Sequence, residues 1–170
     1  MAMKIRIFIP VFLLMIPFAQ AAEKHPWANF KPGSYAKMKS ITTVGANKTV
    51  TEMTQTLISV DAKNAVVETE TKVMGQSMKN RINIPLQASA APANAPAAKA
   101  PVAVSETITV GGKAIACKCY EIESESNGMK TTSRACSSET VPGGAVRVVS
   151  KSSGAVKMDS VSELVEFSAK

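Results

Sequence analysis

Cys117, Cys119 and Cys136 are the residues of this chain best suited to chemistry, and their spacing decides among the reactions open to them. A dithiol redox centre wants Cys-x-x-Cys and a zinc site wants four nitrogen or sulfur ligands. The chain offers Cys-x-Cys, and its single histidine, His25, lies far from it in sequence. Two residues apart on a strand, Cys117 and Cys119 point to the same face and cannot easily bond each other. The partner is then Cys136. Asn127-Gly128, the strongest short hairpin signal, sets a register in which Cys119 stands opposite Cys136. Counted outward from the hydrogen-bonded pair Ser126 and Met129, the two cysteines occupy a non-hydrogen-bonded pair, where side chains approach most closely. The same register opposes Glu125 to Lys130, Glu123 to Thr132, Glu121 to Arg134 and Cys117 to Ser138, and two of these are opposite-charge pairs. The expectation is a Cys119–Cys136 disulfide, a free Cys117 thiol, and neither metal nor cofactor.

Other reactive spacings do not hold together. Gly75-Gln76-Ser77-Met78-Lys79 lacks the closing glycine of a nucleophile elbow and reads as a loop. Ser34 and Lys37 match S-x-x-K on a predicted strand, without the companion motifs of that chemistry. Glu68 and Glu70, and the series Glu121, Glu123 and Glu125, fall on solvent-facing strand surfaces where nothing tunes a carboxyl for acid–base work. Gly143-Gly144 follows a proline and has no phosphate-binding helix behind it. Asn47-Lys48-Thr49 is a glycosylation sequon by pattern only. No catalytic constellation emerges, so an enzyme is not expected. Six of the nine methionines, Met38, Met53, Met74, Met78, Met129 and Met158, lie beyond residue 21 and stand in for scarce aromatics; they either fill the core or line an adaptable apolar groove.

The elements that must position these residues are strands. Val67, Thr69, Thr71 and Val73 alternate with Glu68, Glu70 and Lys72, the period of a half-buried strand. Runs at 34–44 and 49–60 share its Thr/Val/Ile composition, and turn clusters at 45–48 and 61–64 divide them into an antiparallel meander. Downstream, Gly111-Gly112 makes a two-residue turn that places Ile108 opposite Ile115. Val141-Pro142-Gly143-Gly144 breaks the sheet, Ala145–Val149 resumes it, and Ser150–Gly154 reads as a further turn. The last segment carries a capping-box pattern at Ser160–Glu163, but Val161, Glu163, Val165 and Phe167 alternate as a strand. Strand is the expectation there. Between the two β-rich parts, residues 87–104 change to alanine punctuated by Pro92, Pro96 and Pro101, an extended loop or linker. Each part is about 65 residues, marginal for a core of its own, so residues 22–170 are read as one domain.

The opening segment sets Lys4 and Arg6 before the apolar run Ile7–Phe18 and the small-residue triplet Ala19-Gln20-Ala21. That is the layout of a signal peptide over residues 1–21, too short and too proline-interrupted for a permanent span. Its removal takes Lys and Arg from 20 to 18 against 13 Asp and Glu, lowering the net charge from +7 to +5. These cations are scattered rather than clustered, which argues against nucleic acid as a partner. A periplasmic or secreted location follows as an expectation, and it permits the disulfide.

Trp27-Ala28-Asn29-Phe30-Lys31-Pro32-Gly33-Ser34, then Thr56–Val60, Glu106–Lys113 leading to Cys117, and Val141–Gly144 together resemble uncharacterised exported bacterial proteins. Those in turn resemble, in strand order and in the late Pro-Gly-Gly turn, the half-barrel sheet of lipoprotein-localisation carriers of the Lol type. The resemblance implies a mainly β fold, a single antiparallel, curved sheet or half-barrel meander about an apolar cavity, and it transfers no functional residue. The expected function is a non-catalytic binding or carrier-like module for a lipid, another apolar ligand or a partner's chain. The alternative is a structural, envelope-associated protein whose partner is another envelope protein.

Overall fold

The computed structural model describes residues 25–87, 102–126, 128–154 and 157–170. The expected signal peptide and most of the Ala/Pro-rich stretch lie outside the described residues. A 3-10 turn at Pro26–Asn29 precedes nine strands: β1 Tyr35–Val44, β2 Asn47–Val60, β3 Asn64–Val73, β4 Gln76–Pro85, β5 Ala103–Val110, β6 Lys113–Ser126, β7 Met129–Ser137, β8 Ala145–Ser153 and β9 Met158–Ser168. They form one antiparallel sheet in the order β4-β3-β2-β1-β9-β8-β7-β6-β5, not closed into a barrel. Strands that are neighbours in sequence pair, except β4 and β5, which lie at the two ends of the sheet, and the first strand pairs with the last. The C-terminal segment is therefore strand.

Three local expectations change. Gln76 to Lys79 is not loop but the start of β4, because the tight turn at Met74-Gly75, with φ of 50° and 83°, returns the chain straight onto β3. Ser150 to Ser153 continue β8 rather than turning, held by Ser150 and Ser152 hydroxyls that hydrogen-bond Ser133 and Thr131 at 2.9 Å each. Ala103 and Val104, expected in the linker, are already strand.

Burial falls in two clusters. In one, Trp27 and Phe30 of the N-terminal turn cover Leu57, Ala65, Val67 and Leu86 on β2, β3 and the end of β4. Trp27 also lies against Gly143, where a Cβ would meet the indole at 3.0 Å, so the Pro-Gly-Gly turn must be glycine there both for its φ of +75° and for space. The other cluster joins Ala36, Met38 and Leu164 to Ile115, Cys117, Cys119, Cys136, Val141 and Val146. It draws on both sides of the sheet because bulges between Cys136 and Ser137 and between Lys37 and Met38 bend the strands where they meet. The β5–β6 turn comes back toward β9, with the Lys113 ammonium 5.8 Å from the Phe167 ring centre.

Trp27 is 2% exposed and is the largest side chain of its cluster. Trp27→Ala is expected to cost about 3–5 kcal/mol of stability in denaturant unfolding. His25 holds that turn: its Nδ1 accepts the Trp27 backbone N–H at 3.4 Å, and burial pushes its pKa below the usual 6.5. The unfolded chain thus takes up a proton that the folded chain resists, so the contribution of neutral His25 is full above pH 6.5 and is lost as pH falls through the folded value. The denaturation midpoint is expected to drop between about pH 7 and pH 5, and His25→Asn, which keeps an acceptor, should flatten that drop.

Candidate functional site

Cys119 on β6 and Cys136 on β7 stand directly opposite each other, with Sγ atoms at disulfide distance, 2.10 Å, and Cα atoms 4.0 Å apart. Such a short Cα separation belongs to a non-hydrogen-bonded pair. Glu121–Arg134, Glu123–Thr132 and Glu125–Lys130 share that register. Cys117 does not meet Ser138, because the β6–β7 ladder ends at Lys118–Ser137 and Ser138 instead bonds Gly144 across the turn; its cross-strand neighbour is Glu106 on β5. The Cys117 thiol is free and buried, it donates to the Ile115 carbonyl at 3.4 Å, and burial pushes its pKa up. A thiol held protonated and out of solvent is a poor nucleophile.

Charged groups cover the sulfur pair. Arg134 donates to Glu106 at 2.7 Å and to Glu121 at 3.0 Å, and these hydrogen bonds, Glu106 foremost, hold the guanidinium cationic. Glu106 Oε2 also lies 3.4 Å from Cys119 Sγ, and Glu106, Cys119 and Cys136 bring three potential ligand atoms within 4.8 Å of one another. The trio suits a metal badly: sulfurs at bonding distance offer no thiolates, and Arg134 already occupies the carboxylate. Beside it, Glu106, Arg134, Cys136, Arg147 and Val149 line a cleft of about 190 Å³, and a smaller one of about 90 Å³ lies between β5 and β9. Both fall short of the roughly 300–1,000 Å³ of a small-molecule pocket. Arg147 Nε is 3.1 Å from Glu163, yet its N–H makes no aligned hydrogen bond although the atom is buried.

The second candidate is a whole face. Following the register from strand to strand, every charged residue in the nine strands except Lys118 lies on the same side of the sheet. That side holds the ion pairs Lys37–Glu52, Arg81–Glu68, Lys79–Glu70, Arg147–Glu163 and Arg134–Glu106. Apart from Lys118, the opposite side is built from Ser, Thr, Ala, Val, Met, Ile, Leu and amides, with Tyr120 and Phe167 as its aromatics. Across it a row runs Met78, Thr71, Met53, Met38, Leu164 from β4 to β9. A parallel set of hydroxyls, Ser133 with Ser150, Thr42 with Ser160 and Ser40 with Ser162, pairs across neighbouring strands.

Of the six methionines, the register places Met38, Met53, Met78, Met129 and Met158 on this uncharged side, and Met74 in the β3–β4 turn. Met38 is buried in the core, Met53 and Met158 are half-buried, and Met78 and Met129 are exposed. They line neither cleft. They are spread along a surface instead. The segregation of charge has a local signal beyond β3 and β6: Lys37 with Lys39, Lys79 with Arg81, and Arg147 with Lys151 also sit two or four residues apart. What joins these local alternations into one face is the β1–β9 pairing, which no local pattern announces.

No family model, curated protein or solved structure matches the chain.

The sulfur geometry sets an expected outcome. Native protein treated with an alkylating reagent should take no label, and denatured, unreduced protein should take one, at Cys117. The paired replacement Cys119→Ser with Cys136→Ser should lower stability by about 3 kcal/mol, the scale for a loop of this length.

Proposed function

We propose that this protein is an exported, non-catalytic binding module that holds an extended apolar guest, a lipid chain or an uncharged segment of a partner, across the uncharged face of its sheet. The observation that carries the reading is the segregation of charge. Trp27 and Phe30 cover the Leu57, Ala65 and Val67 end of the uncharged side, but Met53, Met78, Met129 and Met158 stay half-buried or exposed on the rest of it; desolvating a charge against a guest costs several kcal/mol and desolvating a methionine or threonine costs far less. Thioether side chains repack around guests of differing shape, and Met78 and Met53 lie in one row with Thr71 between them, a row that ends on the buried Met38. The small size of both clefts favours a guest that lies across the sheet over one that is swallowed by it. An exported location agrees with a sulfur pair at disulfide distance and with the absence, among the described residues, of a helix long and apolar enough to cross a membrane.

Native mass spectrometry of protein purified from the periplasm of a producing bacterium is expected to show a co-purifying lipid or peptide; guest-free protein throughout would count against the reading. Met78→Glu and Thr71→Glu place an anion on the uncharged side and are expected to weaken an apolar fluorescent reporter about tenfold or more. Asn83→Glu, one residue from the same edge but on the charged side, should leave reporter binding unchanged.

A further inference from the structure

The sulfur atoms of three cysteines and six methionines lie among the described residues, and they do not stand equally before an oxidant. Cys119 and Cys136 are at disulfide distance, and Cys117 is buried. A thiol reacts with a peroxide as its thiolate, so burial silences Cys117 twice, by keeping the reagent out and the proton on. A thioether has no proton to lose. Its reaction with a peroxide follows access.

Access divides the methionines. Met74 is 92% exposed, Met78 67% and Met129 42%, whereas Met53 and Met158 are half-buried and Met38 lies in the core. Of the exposed three, Met74 sits in the β3–β4 turn, and Met129 opens β7, which is separated from β4 by five strands. Met78 alone belongs to the row on the uncharged side, opposite Thr71 and with Met53 next beyond it.

We propose that Met78 is an oxidation site through which a peroxide switches off guest binding on the uncharged face. The order of oxidation follows from exposure alone, while the switch rests on the guest-binding reading above. The thioether sulfur attacks one oxygen of hydrogen peroxide and a sulfur–oxygen bond forms as the oxygen–oxygen bond breaks. The hydroxide that leaves collects the proton of the transferred oxygen and departs as water, so the sulfur is oxidised by two electrons and the peroxide reduced. The product replaces an apolar, readily repacking group with a polar hydrogen-bond acceptor. In the free protein that oxygen is hydrated, because Met78 is exposed on the edge strand β4, and the sheet keeps its fold. Under an apolar guest it loses its water, and the cost opposes binding. Oxidation of Met38 would instead disrupt the core, but that sulfur is out of reach. A sulfoxide reductase reverses the step, releasing the oxygen as water while two thiols of its reductant become a disulfide.

The test treats the exported protein with graded hydrogen peroxide, maps the added oxygen by peptide mass and titrates each sample with Nile red, an uncharged apolar dye. Oxygen is expected first at Met74 and Met78, then at Met129, with Met38 unmodified. Once Met78 carries it, dye affinity should fall about tenfold with an unchanged far-ultraviolet spectrum, and should return when both sulfoxide reductases and a dithiol are added. Met78→Leu, whatever its own affinity, should hold that affinity through the same treatment, whereas Met74→Leu and Met129→Leu should still lose theirs. Oxidation of Met38 as fast as Met78, an affinity unmoved by the Met78 sulfoxide, an equal loss in Met78→Leu, or a spectrum lost together with the dye would each overturn the switch. Protein that binds no dye before oxidation would remove the guest-binding reading itself, and the switch with it.

Discussion

The pairing of β1 with β9 is the contact on which the rest of this structure depends. Every other ladder joins strands that are neighbours in the chain, and each could form in a short piece of it. Only β1–β9 connects the β1–β4 meander to the β5–β9 meander. Ten residues of β1 take part, with hydroxyl pairs Ser40–Ser162 and Thr42–Ser160 on one side and Lys39 opposite Glu163 on the other. Without it each meander would keep one more raw edge and neither would be large enough to stand well alone. The chain ends reinforce the joint: Lys31 N–H donates to the Lys170 carbonyl, and Lys170 N–H donates to Ser34 Oγ.

What could be read from the amino acids and what could not divides along the same line. Turn chemistry and alternation acting over fewer than twenty residues gave the β6–β7 register, the opposition of Ile108 to Ile115 and the strand character of β3 and β9. The departures are also local: Gly75 completes a two-residue turn rather than opening a loop, and the serine-rich end of β8 stays in the sheet because its hydroxyls have cross-strand partners. The charge spacings give each strand's alternation, but which sides join into one face is set only when the strands lie side by side. A side chain's face is a property of the whole ladder, and one register slip would invert it.

The sulfur cluster and the uncharged face are two different uses of one sheet. On the β5–β8 portion of the charged side, the sulfur pair lies under Glu106 and Arg134, and their charges answer one another. The other side carries a single charge, Lys118, and relies mainly on methyl, thioether and hydroxyl groups. A surface of that kind makes weak, area-dependent contacts with few geometric demands.

The order of the strands also fixes an order of assembly. Chains are made from the amino end, so β1 exists long before the strand that must lie beside it. The β6–β7 hairpin, whose cysteines are only 17 residues apart, can close and be locked by oxidation as soon as it emerges. β1 cannot be completed until the last residues are released, and until then its free side is a sticky, half-finished rim.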